Sequence, residues 1–410
     1  MTQVSKVALA MAGRDRIDWA ARSMPAMHVA IARLAAQDSI AGMRIGISLV
    51  LEPKTANLII GLLKAKALVS VYAPSDCTDA EVIAALEERG VEVFSDPAAD
   101  AQGNLELARA FLGTHPQILV DDGASVTRLA HREFPEILES MIGATEETTS
   151  GVRPLRVMQD QGQLKIPVIA VNDSPLKYLF DNVYGTGQSC VMALLDLTNL
   201  QIAGRRLLVI GYGWVGKGVA QHAAALGALV SVAEIDPIKA LQAHHDGHRV
   251  CAIEIAATDC EVVFAATGIT GALTPEHLAS MPGGVILCTA GGGDFELPMN
   301  FLRSESEPRN LRDQVDEYEL SDGRKVIVVA DGHCINCTGG EGNPIEIMDL
   351  SLALQACAIE TLANQSEVLA PGVHPIAEDV QAQIAQERLT AAGASTEPLT
   401  QALKAALVDW

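Results

Sequence analysis

The chain has no Lys/Arg run, no long apolar run and no dense cysteine framework, and each absence removes a class of function. Basic residues number 29 against 51 acidic ones, a formal net charge of −22. A surface with that balance repels phosphate backbones and anionic membranes unless a local basic patch overrides it, and the sequence shows none. Neither a nucleic acid nor a membrane is expected as a partner. No apolar stretch reaches the roughly 18–20 residues that a membrane helix needs, and Met1-Thr2-Gln3-Val4-Ser5-Lys6 lacks the basic-then-apolar layout of a signal peptide. A cytoplasmic protein is the expectation. The eight cysteines, at 77, 190, 251, 260, 288, 334, 337 and 357, are scattered rather than clustered as in small secreted domains. Most are expected to be reduced, buried, small apolar residues. Cys334-Ile335-Asn336-Cys337 is one CxxC without a second pair or a nearby His pair, so no metal is expected. Internal repeats and low-complexity segments are also missing.

What is present is ample apolar material, 49% of 410 residues, too much chain for a single core. Two or three domains are expected. Apolar residues recur at helical spacing from Arg14 to Gln37, and Met43 to Val50 reads as a buried strand. A helix over Thr55 to Lys66, a strand over Leu68 to Tyr72 and a helix over Asp79 to Arg89 follow. Next come a strand at Val91 to Phe94, a helix over Asn104 to Leu112 and a strand at Gln117 to Val120. Such alternation predicts an open α/β domain, a parallel sheet covered on both faces. The glycines of Tyr184-Gly185-Thr186-Gly187 allow a hinge or crossover into a second α/β series. That series has a helix over Ser189 to Leu200 and strands at Arg206 to Ile210, Leu229 to Ala233, Val262 to Ala265, Val285 to Cys288 and Lys325 to Val329. The last 65 or so residues read as helical, broken at Pro371-Gly372. His244, His245 and His248 are expected on solvated helix positions.

The strongest single motif is Gly211-Tyr212-Gly213-Trp214-Val215-Gly216. A GxGxxG alone is weak, but this one follows the apolar strand Leu207 to Ile210 and opens a helix over Lys217 to Leu226. Gly211, Gly213 and Gly216 permit the tight turn, the close approach to a pyrophosphate and the close packing of the helix, whose N-terminus attracts the anion. Glu234 ends the next strand. A carboxylate there accepts both ribose hydroxyls and repels a 2′-phosphate, favouring NAD over NADP. The plainer reading is that Glu234 only terminates a strand.

Residues Gly211 to Gly216, with Glu234-Ile235-Asp236-Pro237-Ile238 and Ala240-Leu241-Gln242, closely resemble the cofactor segment of the S-adenosylhomocysteine hydrolase family. Three upstream stretches are similar to the same family: Asp121-Asp122-Gly123, Glu146 to Val152, and Asn172-Asp173-Ser174 through Lys177 to Gly185. The likeness runs in order over nearly the whole chain. It implies an open α/β substrate domain at 1–183, an inserted Rossmann NAD domain at 184–344, and a return to the substrate domain with C-terminal helices at 345–410. It also implies NAD that stays bound and is recycled. Oxidation of a nucleoside 3′-hydroxyl makes the C4′ proton acidic, so that elimination at C5′ becomes accessible. By resemblance Lys177 is the base for the 3′-hydroxyl, provided burial or neighbours lower its pKa. Asp181 and Glu147 hold the sugar hydroxyls, and Asp122 moves the C4′ proton. Asn172 and Asn182 orient Lys177 and the nicotinamide. Thr148, Thr149, Ser150 and Asn336 line the cofactor. Taken singly, Asp121-Asp122-Gly123 also fits an ordinary turn, and Glu146-Glu147 a solvated helix start.

The chain departs from the family pattern at several places. The family's His-Met-Thr, against adenine and the leaving group, is replaced by Val50-Leu51-Glu52. Its Asn-Ile-Gly-His becomes Thr289-Ala290-Gly291-Gly292, and its Gly-His-Pro becomes Gly342-Asn343-Pro344. Ser125 replaces a carboxylate, Lys239 replaces an asparagine at the NAD ribose, and Asp76-Cys77-Thr78-Asp79 only loosely matches Ser-Thr-Gln-Asp. The family's C-terminal Lys/Tyr tail is not matched before Trp410; a homo-oligomer, dimer or tetramer, remains the expected assembly. Three lost histidines leave oxidation intact and water activation changed. The expectation is therefore a nucleoside 4′,5′-dehydratase or lyase acting on a small nucleoside, with a nucleoside-thioether hydrolase as the alternative and a non-catalytic NAD-binding regulator as the other class. Glu52, Thr55 and Asn343 are candidate substrate contacts. Glu52 with Lys54 fits either a changed base or leaving group, or a solvated surface ion pair.

Overall fold

A computed structural model describes residues 3–291, 294–365 and 369–408. Strands β1 (Arg44–Ser48), β2 (Leu68–Tyr72), β3 (Glu92–Phe94), β4 (Ile118–Asp121), β5 (Gly143–Glu146) and β6 (Pro167–Ala170) pair in parallel, in the order β3-β2-β1-β4-β5-β6. β4, β5 and β6 are buried at every position, as parallel strands with helices on both faces must be. On one face Met27, Leu34, Leu58 and Ile59 pack with Leu354 and Ile359; on the other Phe111, Leu129 and Leu155 close the core.

The second sheet contains β7 (Arg206–Ile210), β8 (Leu229–Ala233), β9 (Arg249–Val250), β10 (Val262–Ala265), β11 (Val285–Thr289), β12 (Arg309–Arg312), β13 (Val315–Glu319) and β14 (Lys325–Val329). Its order is β9-β8-β7-β10-β11-β14-β13-β12, parallel except for the last two strands. β7 therefore stands where the order reverses, the position at which doubly wound sheets receive a dinucleotide. A further strand, β15 (Gly372–Pro375), returns to the first sheet and pairs with β6. Among the described residues no helix is long and apolar enough to cross a membrane.

Several sequence expectations need correction. Arg14 to Gln37 is two helices, Gln3–Ala21 and Pro25–Gln37, because Pro25 has no N–H to continue the first and suits the first turn of the second. The C-terminal region is not purely helical, since β15 lies within it. His248 is buried rather than solvated, its ring edge-on to Tyr212 at 5.9 Å between centroids, because the turn after helix Pro237–His245 folds it beneath the glycine turn. His244 and His245 are exposed as expected. All eight cysteines are free, but only Cys190, Cys260, Cys288 and Cys357 are fully buried. Gly292, in the second lost-histidine segment, lies outside the described residues.

The glycines near 185 lie in the crossover into the second sheet. The chain runs from a π-helix, Tyr178–Thr186, straight into helix Gly187–Thr198. The glycines allow contact without side chains: a Cβ on Gly187 would lie 2.5 Å from the Gly218 carbonyl carbon, and one on Gly218 would lie 2.2 Å from the Val183 oxygen. Gly218 belongs to the cofactor helix Trp214–Ala225. Substitution Gly218→Ala must push these backbones apart, so it is expected to destabilise the chain by about 1–3 kcal/mol and to weaken NAD binding. Urea unfolding and a cofactor titration measure the two effects.

Candidate active site

The carboxyl ends of both sheets face one cavity of about 360 Å³. From the first sheet come Glu52 and Thr55 after β1, Asp76 and Cys77 after β2, and Asp122 after β4. Glu147, Thr148 and Ser150 follow β5, and Lys177, Asp181 and Asn182 follow β6. From the second come Val215 after β7, Gly291 after β11, and His333, Cys334, Asn336 and Cys337 after β14; Asn343 closes the wall. β1 sits between β2 and β4, so this is also the reversal point of the first sheet, where open α/β sheets receive ligands.

Two carboxylates that read as turn or helix-start residues are fully buried and shape the loops around the site. Glu146 accepts the backbone N–H groups of Gly123, Ala124 and Thr148, each at 2.9 Å. Asp121 accepts both the N–H and hydroxyl of Thr127, at 2.8 and 2.7 Å. These bonds fix the left-handed turn at Gly123, φ +81°, and so the aim of Asp122. Gly151 is required beside Glu146, since a Cβ there would fall 2.2 Å from its carboxylate.

At the centre, Lys177 Nζ lies 3.0 Å from Asp181 Oδ1 and donates to Asn182 Oδ1 at 3.3 Å. The wider π-helical turn brings residues four and five positions on against the same lysine. Ser351 donates to Asp181 Oδ2 at 3.1 Å, and Gln355 donates to Glu147 Oε2 while accepting from the Thr145 hydroxyl at 2.6 Å. Glu147 Oε1 is buried and has no partner among the described residues. Ser351 and Gln355 were missed by sequence reasoning; the available signal was two polar residues at i, i+4 within the largely apolar stretch Leu350 to Ile359 of helix Ile345–Gln365.

Burial and charge pull on Lys177 in opposite directions. Burial alone would lower the Lys177 pKa, but Asp181, Glu147 and Asp122 outweigh it, and the ammonium is held above its ordinary range. That direction is opposite to the lowering that the base role asks of Lys177. Burial pushes Glu147 up to about 8 despite the opposing Lys177, and pushes Asp122 up to about 6. The cluster has three carboxylates to one ammonium, and its protons belong to the group rather than to single residues.

The other candidates fall into two sets. Thr149 donates to Asn172 Oδ1 at 3.0 Å, so Asn172 and Thr149 stand behind the wall rather than in it. Asn336 donates to Asn343 at 3.0 Å, and Asn343 donates to Thr186 at 3.2 Å, which ties the return segment to the crossing helix. Glu52 caps helix Pro53–Lys64 and pairs with Lys54 at 2.6 Å, both buried, which removes the surface-loop reading. Gly211, Gly213, Trp214, Gly216 and Glu234 lie apart at the tip of β7 and β8, while Lys239 is exposed. Gly211 has φ +94°, a Cβ on Gly216 would meet the Gly211 oxygen at 2.0 Å, and Gly213 faces open space. Glu234 is fixed by the N–H groups of Tyr212, Ile235 and Asp236 at 2.6, 2.7 and 2.9 Å. These features fit a dinucleotide. Trp214 stacks on Tyr178, next to Lys177, with ring centroids 4.6 Å apart.

A family model described as S-adenosyl-L-homocysteine hydrolase, NAD binding domain, matches residues 182–342, and one described as S-adenosyl-L-homocysteine hydrolase matches residues 1–133. The chain is 41% identical to S-inosyl-L-homocysteine hydrolase of Methanopyrus kandleri, over 98% of this chain and 96% of that one. It is 40% identical to adenosylhomocysteinase of Pyrococcus abyssi, over 99% and 97%. The chain belongs to the S-adenosyl-L-homocysteine hydrolase family. It is an NAD-binding member of mixed α/β fold with a Rossmann-type cofactor domain. The stretch matched by the NAD-binding domain model includes both the Gly211 turn and Glu234.

Glu147 gives the site a pH signature. Its carboxyl is raised from 4.5 unfolded to about 8 folded, so its contribution to stability is complete below pH 4.5 and is lost as pH climbs through about 8. Glu147→Gln, neutral throughout, is expected to show a thermal midpoint that falls less than the parent's across that interval; parallel curves would contradict the assignment.

Proposed function

We propose that this protein cleaves the C5′ substituent from a purine nucleoside thioether by transient oxidation at C3′, elimination and addition of water. The supporting observation is the buried, unpartnered Glu147 Oε1 beside the Lys177–Asp181 pair. A vicinal diol supplies what that oxygen lacks, an O–H donor, and offers an oxygen to the ammonium. The chemistry supplied by NAD, when held by the Gly211–Gly216 turn and Glu234, is removal and return of the C3′ hydride. The hydroxyl proton enters the Lys177–Asp181–Glu147 cluster as a unit. With C3′ a ketone, Asp122 takes the C4′ proton; a carboxylate raised to about 6 is ionised at neutrality yet a stronger base than an ordinary one.

The names of the relatives, acting on adenosyl and inosyl homocysteine thioethers, support this substrate class. A second reading, release of a 4′,5′-unsaturated nucleoside without hydration, is favoured by apolar Val50 in the cavity wall, where the family pattern has a histidine.

Incubation of the holoenzyme in deuterated water with S-adenosyl- and S-inosyl-homocysteine separates these readings. Deuterium is expected at C4′ together with release of the free nucleoside, and Lys177→Ala is expected to lower exchange by about 10²–10⁴-fold. Accumulation of an unsaturated nucleoside would favour the dehydratase, and no deuterium at C4′ would defeat both.

A further inference from the structure

The cluster around Lys177 leaves one chemical need unmet. When the C5′ bond breaks, the departing atom requires a proton, and the water that replaces it must lose one. Asp122 already carries the C4′ proton through that half of the cycle, so a second acid–base group is needed near C5′. Glu52 is committed to Lys54 at 2.6 Å. The Cys77 thiol is pushed well above its usual range by burial, and that of Cys334 by contact with Cys337 and by burial, so neither is a ready thiolate.

His333 remains. It follows β14 of the second sheet, lines the cavity, and keeps its side chain 32% exposed. Its Nδ1 lies 3.6 Å from Oδ2 of Asp76, which follows β2 of the first sheet. The pair thus spans the cavity from one sheet to the other, and contact through Nδ1 leaves Nε2 for a ligand. Asp122 lines the same cavity as the Lys177 cluster and as Asp76 and His333. With the sugar diol on the Lys177 cluster and Asp122 at C4′, His333 is the histidine of the cavity wall left to serve C5′.

We propose that His333 is the acid–base residue at C5′ and that Asp76 is its positioning residue. This role rests on the oxidation–elimination reading above. In elimination, Asp122 accepts the C4′ proton, the C4′–H electron pair becomes the C4′=C5′ bond, and the C5′–S bond breaks with its electron pair on sulfur. The protonated His333 ring gives that sulfur its proton. In hydration, neutral His333 takes a proton from water as the oxygen bonds C5′, and Asp122 returns its proton to C4′. An imidazole is suited to both halves near neutrality.

The test compares the holoenzyme with His333→Gln and Asp76→Asn on two substrates, an S-nucleosyl-homocysteine and the same nucleoside carrying nitrothiophenol at C5′, whose thiolate leaves without protonation. His333→Gln is expected to retain C4′ deuterium exchange and to lose cleavage of the homocysteine thioether by about 10²-fold or more. Release of nitrothiophenolate in a single turnover, before hydration limits the cycle, should stay within a few-fold of the parent's. Asp76→Asn should show the same leaving-group pattern more weakly, in kcat rather than KM, which a purely structural defect would not produce. Equal cleavage of both substrates by His333→Gln, or parallel loss of exchange and both cleavages, would overturn the histidine's role alone. Absence of C4′ exchange in the parent would overturn the oxidation–elimination reading and this role with it.

Discussion

A lysine ammonium held out of water among three carboxylates is the constraint that the rest of the site answers to. Breaking such a buried group by removing one partner is far more costly than leaving it whole, so its neighbours must be placed with care. Asp181 and Asn182 are brought to Lys177 by the π-helical turn, and Asp181 is steadied by Ser351. Gln355 ties Glu147 to Thr145, while Glu146, one residue earlier, spends both oxygens on the loop backbone. Adjacent glutamates at the end of β5 thus divide the work, one holding the frame and the other facing the cavity with an oxygen to spare.

The long helix Ile345–Gln365 explains why the chain must return to its first sheet. Asp349 near its start accepts the N–H groups of Ala26 and Met27, and its apolar residues Leu350, Leu354 and Ile359 join the first core. Ser351 and Gln355 are carried to the cluster by that packing. Stability and chemistry share one element here, because a helix anchored in the core presents polar side chains with little freedom to move.

Where a segment announces its own structure, the sequence was sufficient. β2, β7, β8, β10 and β14 fall on the apolar runs that predict them, and the glycine turn sits between strand and helix as its motif requires. β5 was not predicted because Gly143-Ala144-Thr145-Glu146 has little apolar pattern and is recognisable only once β4 lies beside it, whereas β6 was not predicted although it lies in the apolar run Ile166 to Val171. β12 and β13 are rich in charge and escape as β5 does. Lys177, Asp181, Glu147 and Asp122, singled out by family motifs, line one cavity, but the direction of the Lys177 pKa shift was not legible, since it depends on how many carboxylates surround it. Asp76 and His333 are 257 positions apart, and nothing local in either segment announces their meeting.

The crossing from one sheet to the other behaves as a strut. Residues 178–198 form continuous helical backbone, clamped at Gly187 and Gly218 and braced by Tyr178 on Trp214. The spacing between Lys177 and the glycine turn at 211–216 is thereby set by helical rise and glycine contact. Across the cavity the two sheets meet through side chains, Asp76 with His333 at 3.6 Å and Arg16 with Glu341 at 3.0 Å. The fold thus joins its two halves by continuous backbone on one side of the cavity and by charged side chains on the other.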